Sequence, residues 1–149
     1  MKKELFIVDD NSDHHFLLYK ILKQFAETYP VRFFEDGKAL HQHLLTLVYQ
    51  RKSDNFPGLI LVDLNMPGMN GLQLLRLLKD PAQNVLSHCR HIPVVVMSNE
   101  TREEKIQQCY QAGASAFIIK PSDLEKMKNT LQAICQFWLD SNYVPKAFV

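Results

Sequence analysis

Two adjacent acids, Asp9 and Asp10, follow the apolar run Leu5-Phe6-Ile7-Val8, and a third, Asp63, stands where Leu59-Ile60-Leu61-Val62 stops. Ser98 follows Ile92-Pro93-Val94-Val95-Val96-Met97, and Lys120 follows Ala116-Phe117-Ile118-Ile119. Short apolar runs of this kind make strands buried on both faces. In an open parallel sheet, ligands bind outside the carboxyl ends of the strands. Three carboxylates crowded there repel one another unless a cation offsets them, and an all-oxygen donor set suits Mg²⁺ better than zinc or copper. A divalent metal, a hydroxyl and an ammonium around one carboxylate make a site for a phosphoryl group. The sequence contains no Walker A loop, so nucleotide binding by that device is excluded. The remaining nucleophile is the carboxylate itself, which gives an aspartyl phosphate.

Such an edge needs five parallel strands and the helices between them. Asn11-Ser12-Asp13 supplies capping residues for a helix with Leu18, Ile21, Leu22 and Phe25 at helical spacing. Pro30 closes that segment ahead of a short strand, Val31–Phe34. Asp36-Gly37 opens a helix with Leu40, Leu44, Leu47 and Val48 on one face. The Pro67-Gly68 turn precedes Asn70, which caps a helix rich in leucine, Leu72 to Leu78, expected to end near Asp80 because Pro81 follows. Residues 81–91 form a long connection with a helical turn around Ala82 to Leu86. A polar helix over Thr101 to Gln111 presents Ile106, Cys109 and Tyr110 on its apolar face and stops at Gly113. The last helix, from Ser122, places Leu124, Met127, Leu131, Ile134, Cys135 and Trp138 on one face. Strand and helix alternate five times, which calls for a doubly wound α/β fold with right-handed crossovers, five parallel strands and the order 2-1-3-4-5.

The 149 residues suffice for one domain. With 46% hydrophobic and 22% charged residues and a formal net charge of +1, nothing favours nucleic acid or a basic membrane-surface role. No apolar run approaches the ~20 residues of a membrane span, and the start reads as no signal peptide. Cys89, Cys109 and Cys135 are odd in number and lack CxxC spacing, which fits a reduced, cytoplasmic protein with buried thiols.

At these residues the chain resembles a response-regulator receiver domain of bacterial two-component signalling, a flavodoxin-like (βα)5 fold. The resemblance rests on Phe6-Ile7-Val8-Asp9-Asp10-Asn11, Leu61-Val62-Asp63-Leu64-Asn65-Met66-Pro67-Gly68-Met69-Asn70-Gly71, Val95-Val96-Met97-Ser98, and Ala112-Gly113-Ala114 through Ile119-Lys120-Pro121. It spans about residues 3 to 138. It implies that Asp63 is the phosphoacceptor. Asp10 and Asp63 would ligate Mg²⁺ directly, Asn65 through its backbone carbonyl, and Asp9 mainly through water. Ser98 would hydrogen-bond the phosphoryl group and Lys120 pair with it. Phe117 falls on the switch aromatic, whose inward ring accompanies movement of Ser98 toward the phosphate. The Lys120-Pro121 bond is expected to be cis.

Two departures stand out. Asn99 replaces the small residue usual after the Ser, where it would crowd or hydrogen-bond the phosphoryl group, and Phe117 lacks a Tyr hydroxyl. Asn65 and Glu100 hold the two positions that influence hydrolysis of the aspartyl phosphate in the family.

His14 and His15 lie beside the acidic pocket, His41 and His43 read as surface histidines, and His88 and His91 lack an acid or Cys to complete a metal site. The charged run Arg102-Glu103-Glu104-Lys105 reads as a solvated helix face.

Phe137-Trp138-Leu139 and Val144-Pro145 resemble the end of stand-alone receivers associated with phytochrome-type sensor kinases. The expected organisation is a receiver over 1–138 and a tail over 139–149, whose Tyr143, Val144, Phe148 and Val149 fold back or cover a partner, with no output domain. The expected function is acceptance of a phosphoryl group from a sensor histidine kinase, with Mg²⁺. The signal then leaves through helix 4, strand 5 and helix 5 to a downstream protein, a phosphotransfer partner or a homodimer, with no turnover of an external substrate. Two alternatives stay open: a constitutive interaction module with a vestigial pocket, and an aspartyl-phosphate phosphohydrolase like the haloacid dehalogenases. The second needs a DxD motif where this chain has adjacent Asp9-Asp10.

Overall fold

The computed structural model describes residues 3–24, 29–66, 68–80, 82 and 84–141. Five strands, β1 (Leu5–Val8), β2 (Val31–Phe34), β3 (Leu59–Asp63), β4 (Val94–Ser98) and β5 (Ala116–Ile119), form one sheet. All four pairings are parallel, and the order is β2-β1-β3-β4-β5. Five helices alternate with them: α1 (Ser12–Lys23), α2 (Gly37–Tyr49), α3 (Gly71–Lys79), α4 (Glu103–Gln111) and α5 (Leu124–Cys135). Fold class and strand order match the expectation.

Period-2 alternation along the strands divides the core in two. Phe6, Val8, Ile60, Val62, Val94 and Val96 face one way, against leucines of α2 and α3 and Cys109 of α4. Leu5, Ile7, Leu59, Leu61, Val95 and Met97 face the other, against Leu18, Ile21 and Leu22 of α1 and Met127, Leu131, Ile134 and Cys135 of α5.

The helix starts follow from local chemistry. Asn11 Oδ1 accepts the N–H groups of Asp13 and His14, and Asp36 Oδ1 accepts that of Ala39. Asn70 and Gln73 exchange side-chain-to-backbone bonds in a capping box. Gly113, at φ +108°, ends α4 in a conformation suited to glycine.

Several boundaries and faces differ from the expectation. Helix α4 begins at Glu103 and α5 at Leu124, where Asp123 rather than Ser122 caps by accepting the Glu125 N–H. The helical turn in the long connection lies later, as a 3₁₀ segment over Asn84–His91. The segment kinks at Leu86 (φ −98°, ψ 18°), and Leu86, Cys89 and the following Ile92 are buried. Leu124, the first residue of α5, is exposed although it fits the apolar periodicity of the helix. Strand β5 is half exposed, as an edge strand must be on one side. After Cys135 the helix widens into a π-type stretch, Gln136–Ser141, in which Trp138 and Leu139 still pack on the α1–α5 core. Phe25, Pro67, Tyr143, Val144, Pro145, Phe148 and Val149 lie outside the described residues.

Candidate functional site

Parallel register brings the strand ends level. Val8 pairs with Val62, Asp63 with Met97, and Ser98 with Ile119, so the residues that follow emerge together. Carboxylate oxygens of Asp9, Asp10 and Asp63 lie within 4.8 Å of one another, the one such cluster of possible metal-binding groups among the described residues. Asp9 is buried, Asp63 half-buried and Asp10 exposed. Lys120 Nζ donates to Asp63 Oδ2 at 3.0 Å and lies 3.9 Å from Asp9 Oδ2. Ser98 is fully buried, and its hydroxyl accepts the Glu100 N–H at 3.1 Å and Asn65 Nδ2 at 3.4 Å. The Asn65 N–H donates in turn to Asp63 Oδ1 at 3.1 Å.

All the acids, the serine and the lysine expected at the sheet edge are therefore together. The three acids themselves offer carboxylate oxygens, a hard set that fits Mg²⁺ or a similar divalent cation, with Asp10 open to water. Asn99 is exposed at the rim, and Phe117 is half buried, packed against the core on the α2–α3–α4 side. The Lys120-Pro121 bond departs from the expectation: it is trans, and no cis peptide occurs among the described residues. Proline lowers the cost of cis without imposing it, and residue type alone does not choose the isomer.

The two histidines expected beside the acidic pocket are there. His14 Nδ1 lies 3.2 Å from Asp9 Oδ2, and His15 Nε2 contacts the Asp9 carbonyl. Asp9 Oδ1 accepts the Asn11 N–H at 2.9 Å, so groups on the first turn of α1 engage both Asp9 oxygens. His43 is no plain surface histidine: it packs against Phe6 and Phe34, and burial, then the nearby Arg32 charge, lowers its pKa.

Arg102 grips Glu100 through Nε at 2.9 Å and Nη2 at 3.0 Å. These side-chain bonds, with the Arg102 N–H, hold the Glu100 carboxyl down to about 2. Beside them is an open cleft of about 430 Å³, lined by Leu64, Asn65, Met66, Glu100, Arg102 and Lys105 among others. Asn65 and Glu100 therefore stand where solvent reaches the site.

The packing of α3 also depends on the site. Gly71 opens α3, and a Cβ there would lie 2.5 Å from the Asp63 carbonyl oxygen. The Gly71 N–H bonds the Leu64 carbonyl at 3.0 Å, tying the turn back onto the end of β3.

The model of the response regulator receiver domain matches residues 5–132. Over 95% of this chain and 86% of the other, the sequence is 27% identical to the probable methanogenesis regulatory protein FilR2 of Methanothrix harundinacea. Other relatives are longer, and the chain spans 10% of the sensory/regulatory protein RpfC of Xanthomonas campestris. Among solved structures, the phosphorylated cyanobacterial phytochrome response regulator RcpA superposes with a TM-score of 0.79 at 27% identity, covering 98% of this chain and all of that one (100%). The Mn²⁺-bound response regulator Rcp1 gives 0.74 at 25% identity, covering 96% and 99%. With the parallel five-stranded sheet and the acidic pocket, these matches identify the chain as a member of the response regulator receiver domain family.

Proposed function

We propose that this receiver accepts a phosphoryl group from a phosphohistidine of a sensor kinase onto Asp63. The convergence of Asp9, Asp10 and Asp63 within 4.8 Å, with Lys120 3.0 Å from Asp63, carries the reading. A carboxylate oxygen of Asp63 forms the new O–P bond while the N–P bond of the donor breaks. The departing imidazole keeps the electron pair and takes a proton from solvent. Lys120 and the Ser98 hydroxyl bind equatorial oxygens of the transferring group.

Asp10 and Asp63 would hold Mg²⁺ through carboxylate oxygens, Asn65 through its carbonyl, and Asp9 through water. When bound, the cation offsets charge on the carboxylates and phosphoryl oxygens. Asp9 already uses both oxygens on Asn11 and His14, which suits an indirect role. Hydrolysis ends the signal, with Asn65 and Glu100 setting how water enters. The protein does not turn over an external substrate.

Output passes through the face made by α4, β5 and α5. Three large apolar side chains, Tyr110, Ile119 and Leu124, are exposed there, one on each element, and contact with a partner or a second copy would cover them. The likeness to RcpA supports a phytochrome-type kinase as donor. The receiver over 1–138 acts in the cytoplasm; no helix among the described residues is long and apolar enough to cross a membrane.

The test is intact-mass measurement after incubation with phosphoramidate, with and without Mg²⁺. One phosphoryl adduct is expected only with Mg²⁺, and none on Asp63→Ala. Absence of an adduct with this donor and with sensor kinases would show that the pocket is vestigial. Hydrolysis of an external phosphomonoester at many turnovers would instead favour the phosphohydrolase.

A further inference from the structure

The N–H of Phe117 belongs to the edge strand β5 and donates across 2.9 Å to the hydroxyl of Tyr110, in the last turn of α4. Water ordinarily satisfies an edge-strand N–H. Here a tyrosine that is 49% exposed reaches back to do so. The opposite end of α4 is also tied to the site, because the Glu100 N–H, just ahead of the helix, bonds the Ser98 hydroxyl. Helix α4 thus runs between one link to Ser98 and one to Phe117. The Phe117 ring is packed inward against the core. The Ser98 hydroxyl lies 3.4 Å from Asn65 Nδ2, next to Asp63. The phenol of Tyr110 ends at the backbone N–H of residue 117 on the open edge of the sheet.

We propose that Tyr110 is a positioning residue for the switch. Its hydroxyl fixes the Phe117 backbone to α4, holds the ring inward, and so keeps Ser98 placed for a phosphoryl group before one arrives. The inference rests on reading Asp63 as the phosphoacceptor and Phe117 as the switch aromatic. Residue 117 has no hydroxyl of its own, so the ring alone makes no polar bond in either position. The link from α4 supplies the polar restraint instead.

Tyr110→Phe removes one oxygen from a half-exposed ring and leaves the helix intact. The net value of one hydrogen bond sets the expected change at about fivefold. The probe is beryllofluoride with Mg²⁺, an analogue of the phosphoryl group, titrated by NMR into the full chain. In the wild type, the Phe117 amide is expected to be protected from exchange and the ring to give NOEs to core methyls. In Tyr110→Phe, amide protection falls, ring-to-core NOEs weaken, and beryllofluoride affinity drops about fivefold. Tyr110→Leu, which removes the whole phenol, should weaken the NOEs further. Unchanged beryllofluoride affinity and unchanged Phe117 NOEs in Tyr110→Phe overturn the role of Tyr110 while leaving the site reading standing. A wild type that binds no beryllofluoride and takes no phosphoryl group overturns the site reading, and this inference with it.

Discussion

Lys120 Nζ lies 3.0 Å from Asp63 Oδ2 and 3.9 Å from Asp9 Oδ2, so one ammonium is shared between two of the three clustered acids. Before any phosphoryl group arrives, this lysine supplies positive charge that a bound divalent cation would otherwise supply alone. Lys120→Met is therefore expected to bind Mg²⁺ more tightly, on the order of tenfold, while phosphorylating more slowly. Isothermal titration calorimetry and phosphoramidate kinetics measure the two effects. Weaker Mg²⁺ binding in the variant would contradict the sharing.

Gly71 connects the fold of α3 to the chemistry of β3. A Cβ at this position would sit 2.5 Å from the Asp63 carbonyl oxygen and 2.8 Å from Leu64 Cα, both backbone atoms that cannot rotate away. Gly71→Ala should cost about 1–3 kcal/mol of stability through that overlap. It should also lower the yield of phosphorylated protein by displacing Asp63. Urea unfolding and intact mass report the two losses, and wild-type values for both would show that the turn relaxes freely.

Much of this arrangement was legible in the sequence because apolar runs and strand-end residues carry it. The run before Asp63, the Asp9-Asp10 pair and Lys120 after Ile119 place their functional groups by strand register alone. The faces of α1 and α2 followed from period 3.6. Legibility failed where tertiary position decides. Leu124 fits the periodicity of α5, yet it is exposed in the first turn. Tyr110 fits the apolar face of α4, yet its hydroxyl serves the backbone of β5. The short 3₁₀ segment over Asn84–His91, kinked at Leu86, is too irregular to separate from a loop by pattern. The isomer of Lys120-Pro121 has no local signature.

Lys79 links α3 to the 3₁₀ segment, donating to the carbonyls of Arg90 at 2.8 Å and Ile92 at 2.6 Å. Burial lowers its pKa from 10.5 to about 8. Between those values the unfolded chain holds the proton and the folded chain does not, so this group makes stability rise with pH across that window. Relative to Lys79→Met, the wild type should gain about 1–2 kcal/mol between pH 7.5 and 10, a figure discounted for partial solvent exposure. Paired urea titrations at the two pH values measure it. A constant difference would show that the ammonium stays charged throughout.

The three cysteines are buried and free. Burial raises the Cys89 thiol to about 11 and the Cys135 thiol to about 12, and it raises Cys109 as well. Little thiolate then exists at pH 8, and access is poor. Folded protein should react with a disulfide reagent at pH 8 far more slowly than urea-unfolded protein. Rapid modification of the folded chain would place a thiol at the surface.

The most direct test of the central claim locates the phosphoryl group. Borohydride reduces an aspartyl phosphate to homoserine, which marks the residue permanently for peptide mass mapping. After phosphorylation with Mg²⁺ and reduction, homoserine is predicted at position 63 and nowhere else. A mark at Asp9 or Asp10, or a stable phosphate found instead on His14, His15 or Ser98, would contradict the assignment of Asp63 as the nucleophile.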